Sequence, residues 1–531
     1  MSLSDLDVLV LDAQATGASP AHGHLLELGW AWARARDPEV DVRTRLIAQP
    51  EGAAVPKIIT RVTGINDAAL DRARPVDEVW AELTATCAER APARAVVHCA
   101  RFELSFLQPR VPPQEALPFD TLCTLELARR LLPGLPRRGL RALAGYFGLG
   151  VEQLRRAEDH VRATAFVWHH LVSMLAERGI EDWDDAIALT HESAPRHGRK
   201  EFPLAREKRL SLPERPGVYR MLRSNGDLLY VGKATSLKRR VNSYFQKQAG
   251  RDERMLELLS QVRDLQVTPT ATPLEAALLE TDTIKLLEPP YNLALLGETR
   301  EPWFVSADLQ HLSKTHSAAF PGGPLPSPWR QRRAVGLDRL LGGDRSKEVV
   351  TKAFGWSPEE LPDDVLVEGL AQFEARNPGA FESPAAFKAA GIRRWNTQAR
   401  KEDGETREPG DESWDAARVL RNLEDTLVYF ALELRRGRWL RRLANAAISF
   451  DDGAQRTLVL RGGRVRSRHD GERLDDVNPL APEFDIATYD RLRVLATELR
   501  RIAAEGRPVR IRFAGGRPLS TDAVARMFPW V

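Results

Sequence analysis

Asn225-Gly226, set between the apolar runs from Gly217 to Leu222 and from Leu228 to Gly232, constrains this chain more than any other pair of residues. A two-residue hairpin turn needs positive φ at both central positions, and Asn-Gly supplies it, so the spacing predicts a hairpin. Counting outward sets Ser224 opposite Asp227, Leu222 opposite Leu229, Met221 opposite Tyr230 and Tyr219 opposite Gly232. Side chains alternate faces along a strand, so Tyr219 and Tyr230 should emerge together as diagonal neighbours. Gly232 beside them is expected to leave room for another backbone to approach.

The chain around this hairpin has 531 residues, which suggests roughly three or four domains. Its 77 basic and 74 acidic residues nearly cancel to +3. The block from Arg196 to Met255 does not cancel, holding 16 Lys or Arg against 6 Asp or Glu, an excess of 10. Such a block is the electrostatic footprint of a polyanion partner. The three cysteines, Cys87, Cys99 and Cys123, form no CxxC pair, so buried reduced thiols are expected rather than a zinc or iron-sulfur site. Met1 to Asp7 shows no basic and apolar leader pattern, and no apolar run reaches about 18 residues. The expectation is a cytoplasmic protein, on the bacterial nucleoid, with no membrane partner.

Residues 1–178 read as an α/β layer domain, with strands at Asp7 to Asp12, Leu25 to Arg34 and Ala93 to His98, and helices near 120–132, 139–147 and 151–177. Leu11-Asp12-Ala13-Gln14-Ala15-Thr16-Gly17, Val62-Thr63-Gly64-Ile65, Val97 to Glu103 and His160 resemble the motif blocks of DnaQ-like proofreading exonucleases, which have a ribonuclease-H-like fold. The resemblance implies four carboxylates around two divalent ions and a water-activating histidine. Asp12 stands at the first acidic position. Gln14, Glu103 and Ala165 stand at the other three, with Ala165 five residues after His160. Glu158 and Asp159 should face elsewhere on their helix. The two-metal site is expected to be broken, leaving a domain that binds DNA, docks a partner or packs; the alternative is a single ion on Asp12 and Glu103.

Residues 179–212 read as a linker. After Gly232 come Lys233 and the cap candidates Thr235 and Ser236. A helix should follow with Leu237, Val241, Tyr244 and Phe245 on its apolar face and Arg240 at the edge. Lys238 and Arg239 should point outward, where contact with DNA phosphates or plain solvation would serve equally well. Thr272-Pro273-Leu274-Glu275 is a capping box opening a helix to about Leu287, with Leu274, Leu278 and Ile284 as its buried stripe and Glu280 among small side chains.

Gly217-Val218-Tyr219, Tyr230-Val231-Gly232-Lys233, Arg240, Glu280 and Pro290-Tyr291-Asn292 resemble the signature of GIY-YIG nucleases, above all the N-terminal domain of UvrC and its short relative Cho. The resemblance implies a small α/β endonuclease domain at 213–296. Glu280 would hold one Mg²⁺ or Mn²⁺, and Arg240 would contact the phosphate. Tyr219 or Tyr230 would orient or deprotonate water, its phenol pKa brought down by nearby cations such as Lys233. Asn292 would fix the site by hydrogen bonds.

Residues 297–396 are expected to be mostly helical and similar to the segment after the nuclease domain of UvrC. A linker is expected at 397–413 and a C-terminal α+β unit at 414–531, opening with a helix that ends near Gly437 and carrying no motif for a second nuclease. The fold class is therefore multidomain α/β and α+β. The function expected is a metal-dependent DNA endonuclease making a single-strand incision in damaged or distorted DNA, in excision-type repair, with a UvrB-like damage-loading protein as a candidate partner. Its alternatives are an enzyme in which both nuclease domains work, and a non-catalytic DNA-binding adaptor.

Overall fold

The computed structural model describes residues 2–150, 154–195, 200–246, 252–292, 300–358, 361–398, 414–467, 484–514 and 516–527. The sequence-predicted linker at 397–413 falls almost wholly outside them.

Strands β1 (Val8–Ala15), β2 (Leu25–Ala33), β3 (Arg43–Leu46), β4 (Ala93–Val97) and β5 (Phe119–Cys123) make a mixed sheet in the order β3-β2-β1-β4-β5. β1 pairs antiparallel with β2 and parallel with β4, and β4 pairs parallel with β5. Both faces are covered, as parallel strands require. Val8 and Val10 pack with Val161, Ala165 and Trp168 of the helix Ala157–Ala176. Leu9 and Leu11 pack on the opposite face with Val79, Leu83 and Phe106. Gly29 lets that long helix close on the sheet, since a Cβ there would stand 2.9 Å from Ala157 Cβ.

The segment expected to be a linker at 179–212 holds two helices, Trp183–His191 and Arg206–Leu210. Trp183, Ala186 and Leu189 are buried in the first core. Asp182 is the N-cap of the first helix, accepting from the Asp185 N–H at 2.9 Å.

Strands β6 (Gly217–Leu222), β7 (Leu228–Ala234) and β8 (Asp264–Pro269) form an antiparallel sheet with β6 central. Met221 faces Tyr230 and Tyr219 faces Gly232, but Leu222 faces Leu228, across a bulge. The turn is wider than the two-residue form expected. Gly226 alone takes positive φ, and its N–H bonds the Arg223 carbonyl at 3.2 Å. Asn225 Oδ1 accepts from the Asp227 N–H at 3.0 Å, an Asx turn that competes with the tighter geometry. Helices Leu237–Ser243 and Glu253–Gln261 cover one face through Leu237, Val241, Leu258 and Leu259. The helix Pro273–Leu287 covers the other through Ala276 and Ile284.

Leu274, Leu278 and Ile284 are buried as expected, with Leu274 and Leu278 in the C-terminal core beside Leu443, Ile448, Tyr489 and Leu495. The nuclease helix is thus clamped between its own sheet and the end of the chain.

Residues 300–398 include a three-stranded sheet of β9 (Trp303–Val305), β10 (Leu312–Ser313) and β11 (Gly322–Leu325), followed by helices Trp329–Leu341, Lys347–Phe354, Asp363–Arg376 and Pro384–Gln398. The helix Ala416–Leu443 does not stop near Gly437 as expected. Gly437 is a packing glycine: a Cβ there would lie 2.4 Å from the Gly323 carbonyl carbon. This helix gives Val419 to Leu434 to the middle core and Leu440 and Leu443 to the C-terminal one, so it is shared by two units rather than opening the second. The C-terminal sheet runs in the order β14 (Arg464–Ser467), β13 (Gln455–Arg461), β12 (Ala446–Asp451), β15 (Val509–Phe513), and the helix Ile486–Ala504 shares its core.

Candidate active site

Glu280 sits on the face of its helix that looks past β7. Its Oε1 accepts the Lys233 backbone N–H at 2.8 Å, which ties the helix to the strand end. Burial raises the carboxyl above its ordinary range, the Lys233 hydrogen bond and charge together with Arg240 pull it back, and Glu498 pushes it up again. Asn292 braces the same strand, donating from Nδ2 to the Val231 carbonyl and accepting the Val231 N–H at Oδ1, each at 2.8 Å. A buried asparagine that satisfies both backbone groups of one residue fixes the strand where Gly232 and Lys233 must be placed.

The two tyrosines do share a face, with ring centroids 6.1 Å apart. Gly232 makes room for Tyr219 itself rather than for an incoming backbone: a Cβ there would lie 2.2 Å from Tyr219 Oη. Tyr244, read from the sequence as apolar packing, is the third member of the cluster, its hydroxyl 2.7 Å from that of Tyr219. Arg240 lies over the Tyr244 ring at 5.0 Å, so the ring holds the guanidinium at the mouth of the cluster. The signal for Tyr244 was present in its spacing, one helical turn beyond Arg240.

Two expectations for these groups need correction. The protein's own groups do not bring the phenols down: burial raises Tyr219 well above its ordinary value, and Tyr230 likewise, with Tyr244 adding to both and only Arg240 opposing. Lys233 is not a cation held for the tyrosines, because its Nζ lies 2.5 Å from Glu498 Oε1 on the C-terminal helix Ile486–Ala504. Of the expected DNA contacts, Lys238 pairs with Glu214 at 3.0 Å and Arg239 is exposed.

In the first domain Asp12 Oδ2 accepts from Gln14 Nε2 at 2.8 Å and Asp12 Oδ1 lies 3.0 Å from His160 Nδ1. Burial would lower the His160 pKa, but Asp12 outweighs it and raises it. Glu103 is pushed up to about 8 by burial and then by Asp12, and its Oε2 is buried with no hydrogen-bond partner. Ala165 lies in the core. Asp159 caps its own helix at the Arg155 and Arg156 N–H groups and Glu158 pairs with Arg162, so neither replaces the carboxylate missing at 165. Among the described residues no group of three or more His, Cys, Asp and Glu is arranged to hold a metal ion.

Family models match at two places, an exonuclease over residues 9–167 and a UvrC-like GIY-YIG domain over residues 215–293. The chain joins an exonuclease domain to a UvrC-like GIY-YIG domain. It is 30% identical over 308 residues to a putative bifunctional exonuclease/endonuclease protein of Mycobacterium tuberculosis, covering 56% of this chain and 44% of that one. It is 44% identical over 124 residues to the UvrABC system protein C of Alkalilimnicola ehrlichii, covering 22% of this chain and 20% of that one. The matched parts therefore take in less than half the length of either relative. Among solved structures, the GIY-YIG N-terminal endonuclease domain of UvrC from Thermotoga maritima, bound to magnesium, is 33% identical, with 17% of this chain and 94% of that chain covered at a TM-score of 0.15.

The exonuclease domain also braces the GIY-YIG domain. Its helix Leu140–Phe147 packs on Glu253–Gln261, Arg141 lies 4.7 Å over the Tyr291 ring, and Arg137 N–H bonds Ser260 Oγ at 3.0 Å. Asn292 follows Tyr291 directly, so this contact steadies the residue that braces β7. Among the described residues, no helix is long and apolar enough to cross a membrane.

Proposed function

We propose that this chain is a divalent-metal-dependent DNA endonuclease that cuts one strand of damaged or distorted duplex through Tyr219, Tyr230, Arg240 and Glu280. Its exonuclease domain is a scaffold without turnover. The observation that carries this reading is the hydrogen bond from the Lys233 N–H to Glu280 Oε1 at 2.8 Å, which leaves the second carboxylate oxygen to a ligand beside the tyrosine cluster. One carboxylate, water and a substrate phosphate suit Mg²⁺ or Mn²⁺, and burial of Glu280 makes a cation there favourable. A divalent ion bound there would neutralise charge on the phosphate and the departing oxygen.

The protein groups do the positioning. Arg240 binds the phosphate, where a planar guanidinium meets two oxygens. Tyr230, a neutral phenol, accepts a hydrogen bond from the attacking water and holds it in line. Tyr219 is buried behind it and orients the cluster through Tyr244. Asn292 and Lys233 fix the strand, Lys238 and Arg239 lie along the approach of the backbone, and a UvrB-like loading protein would deliver damaged duplex.

A cleavage assay on nicked, bubbled, branched and lesion-bearing duplexes with Mg²⁺ or Mn²⁺ tests this reading. Distorted substrates should be cut once on one strand and intact duplex much less. Equal cutting of all substrates would remove the proposed specificity, and no cutting with either metal would leave a DNA-binding adaptor. A second reading, with both nuclease domains active, draws on the name of the M. tuberculosis relative and on Asp12 and Glu103 lying close enough to perturb each other. It predicts metal-dependent release of mononucleotides from an end.

A further inference from the structure

The middle unit carries a ladder of aromatic rings and arginines on its surface. Trp329 opens the helix Trp329–Leu341, and Trp329, Trp356 and Tyr429 are 45%, 44% and 41% exposed. Among the described residues these are the aromatic members of the exposed large apolar side chains. Soluble proteins scatter such residues singly, and a cluster marks a binding surface.

Arginines link two of the three, Trp329 and Tyr429. Arg330 lies 4.7 Å over Tyr429 and 5.6 Å over Trp329, and Arg333 lies 4.9 Å over Trp329. Gly355 joins the two halves, since a Cβ there would lie 3.0 Å from Trp329 Cζ2 and from Arg333 Cδ. Trp356, next in the chain, stacks on Trp414 at 5.5 Å and 24°, and Arg418 lies 4.2 Å over Trp414.

We infer that this ladder is a binding platform for single-stranded DNA, with unpaired bases stacking on Trp329, Trp356 and Tyr429 and the exposed Arg332 and Arg421 taking the phosphates, since Arg330 is bonded to Glu433 and Arg333 to the Ala353 carbonyl. The inference goes beyond the incision chemistry and does not depend on it. Every exposed ring has a guanidinium or a second ring against it, which holds it flat and costs little further ordering on binding. Arg332 and Arg421 are exposed on the two helices that carry the ladder. The carboxylates at hand are Glu433, paired with Arg330 at 2.8 Å, Asp415, which caps its helix at the Arg418 N–H, and Asp425 near Arg333. Trp, Tyr and Arg also mark protein hot spots, so the choice of occupant rests on charge: Arg330, Arg332, Arg333, Arg418 and Arg421 outnumber the carboxylates Glu433, Asp415 and Asp425, and a cationic surplus among stacking rings suits a single strand.

The test uses full-length protein carrying Glu280→Ala, in chelator, with a 20-nucleotide oligo(dT) and a duplex of equal length as probes. Trp329→Ala and Trp356→Ala should each weaken oligo(dT) binding roughly tenfold and leave duplex binding within about twofold, because only unpaired bases can stack. Trp329→Phe should retain most of the affinity. In protein with the ladder intact, a bromodeoxyuridine-containing strand should photocrosslink to peptides containing Trp329 or Trp356, a readout independent of whether the alanine variants fold. Unchanged oligo(dT) affinity, equal losses on both probes, crosslinks confined to the nuclease domains, or altered self-association with unaltered DNA binding would each overturn the inference.

Discussion

Lys233 Nζ and Glu498 Oε1 are 2.5 Å apart, joining the GIY-YIG strand to the last long helix of the chain across 265 positions of sequence. Burial alone would raise Glu498, but bonds from Lys233 and Arg501 outweigh it and hold the carboxylate below its ordinary range, so it is ionised beside Glu280. Around it, Lys285 pairs with Asp490 at 2.9 Å, Arg491 with Asp282 at 2.7 Å, and Asp452 accepts the Leu274 N–H at 3.0 Å. The C-terminal unit therefore holds the helix Pro273–Leu287 in place and sets a negative charge beside Glu280.

Neutralising Glu498 removes negative charge near Glu280 while keeping the side chain's shape. Glu498→Gln should raise the Mg²⁺ concentration for half-maximal nicking roughly threefold to tenfold with little change in the rate at saturating metal. A metal titration of cleavage measures this, and an unchanged or lower requirement would show that Glu498 is only structural.

Asn292 satisfies two buried backbone groups of Val231, so truncation leaves both without partners. Asn292→Ala should cost about 2–4 kcal/mol in urea denaturation and reduce nicking at least tenfold. Asn292→Asp keeps the acceptor for the Val231 N–H and should cost less stability than alanine; the reverse order would contradict the bracing role.

The Tyr219 and Tyr244 hydroxyls bond each other in the interior at 2.7 Å. Tyr244→Phe should therefore lose about 1 kcal/mol of stability and lower the nicking rate without changing DNA affinity, read from denaturation, single-turnover cleavage and binding in chelator. An unchanged rate would remove Tyr244 from the site.

Glu103 carries a pH signature. Its pKa rises from an ordinary 4.5 to about 8 on folding, so the folded state holds the proton more tightly than the unfolded chain. The contribution is fully present below about 4.5 and is lost as pH rises through about 8, a swing on the order of a few kcal/mol. Thermal denaturation should show a decline in wild type between pH 5 and 9 that Glu103→Gln flattens. A millimolar Mg²⁺ effect that abolishes the decline would mean that Asp12 and Glu103 bind an ion after all.

The cluster of tyrosines, Arg240 and Glu280 was legible in the sequence because hairpin alternation and helical spacing are local. Tyr219, Tyr230, Arg240 and Glu280 lie inside strands and helices whose own periodicity sets the face each occupies. The turn misread by one residue shows the limit of dipeptide rules: Asn225 spends its side chain on Asp227 rather than adopting positive φ. The buried stripe of Leu274, Leu278 and Ile284 was legible, but its C-terminal partner was not, because periodicity reports that a face is buried and not against what. Gly437 read as a helix end, since a packing glycine and a terminating one look alike until the partner backbone is known. Glu498 gave no local signal at all, as a lone glutamate on an amphipathic helix is ordinarily solvated.

We assign incision to Glu280 and no part in it to Asp12. Metal-dependent cleavage of one end-labelled bubbled duplex, compared among wild type, Glu280→Ala and Asp12→Ala, tests it most directly. Glu280→Ala should abolish the nick with DNA binding retained, and Asp12→Ala should cut at the wild-type rate with no mononucleotides released by any of the three proteins. Loss of cleavage with Asp12→Ala and its survival in Glu280→Ala would contradict that assignment.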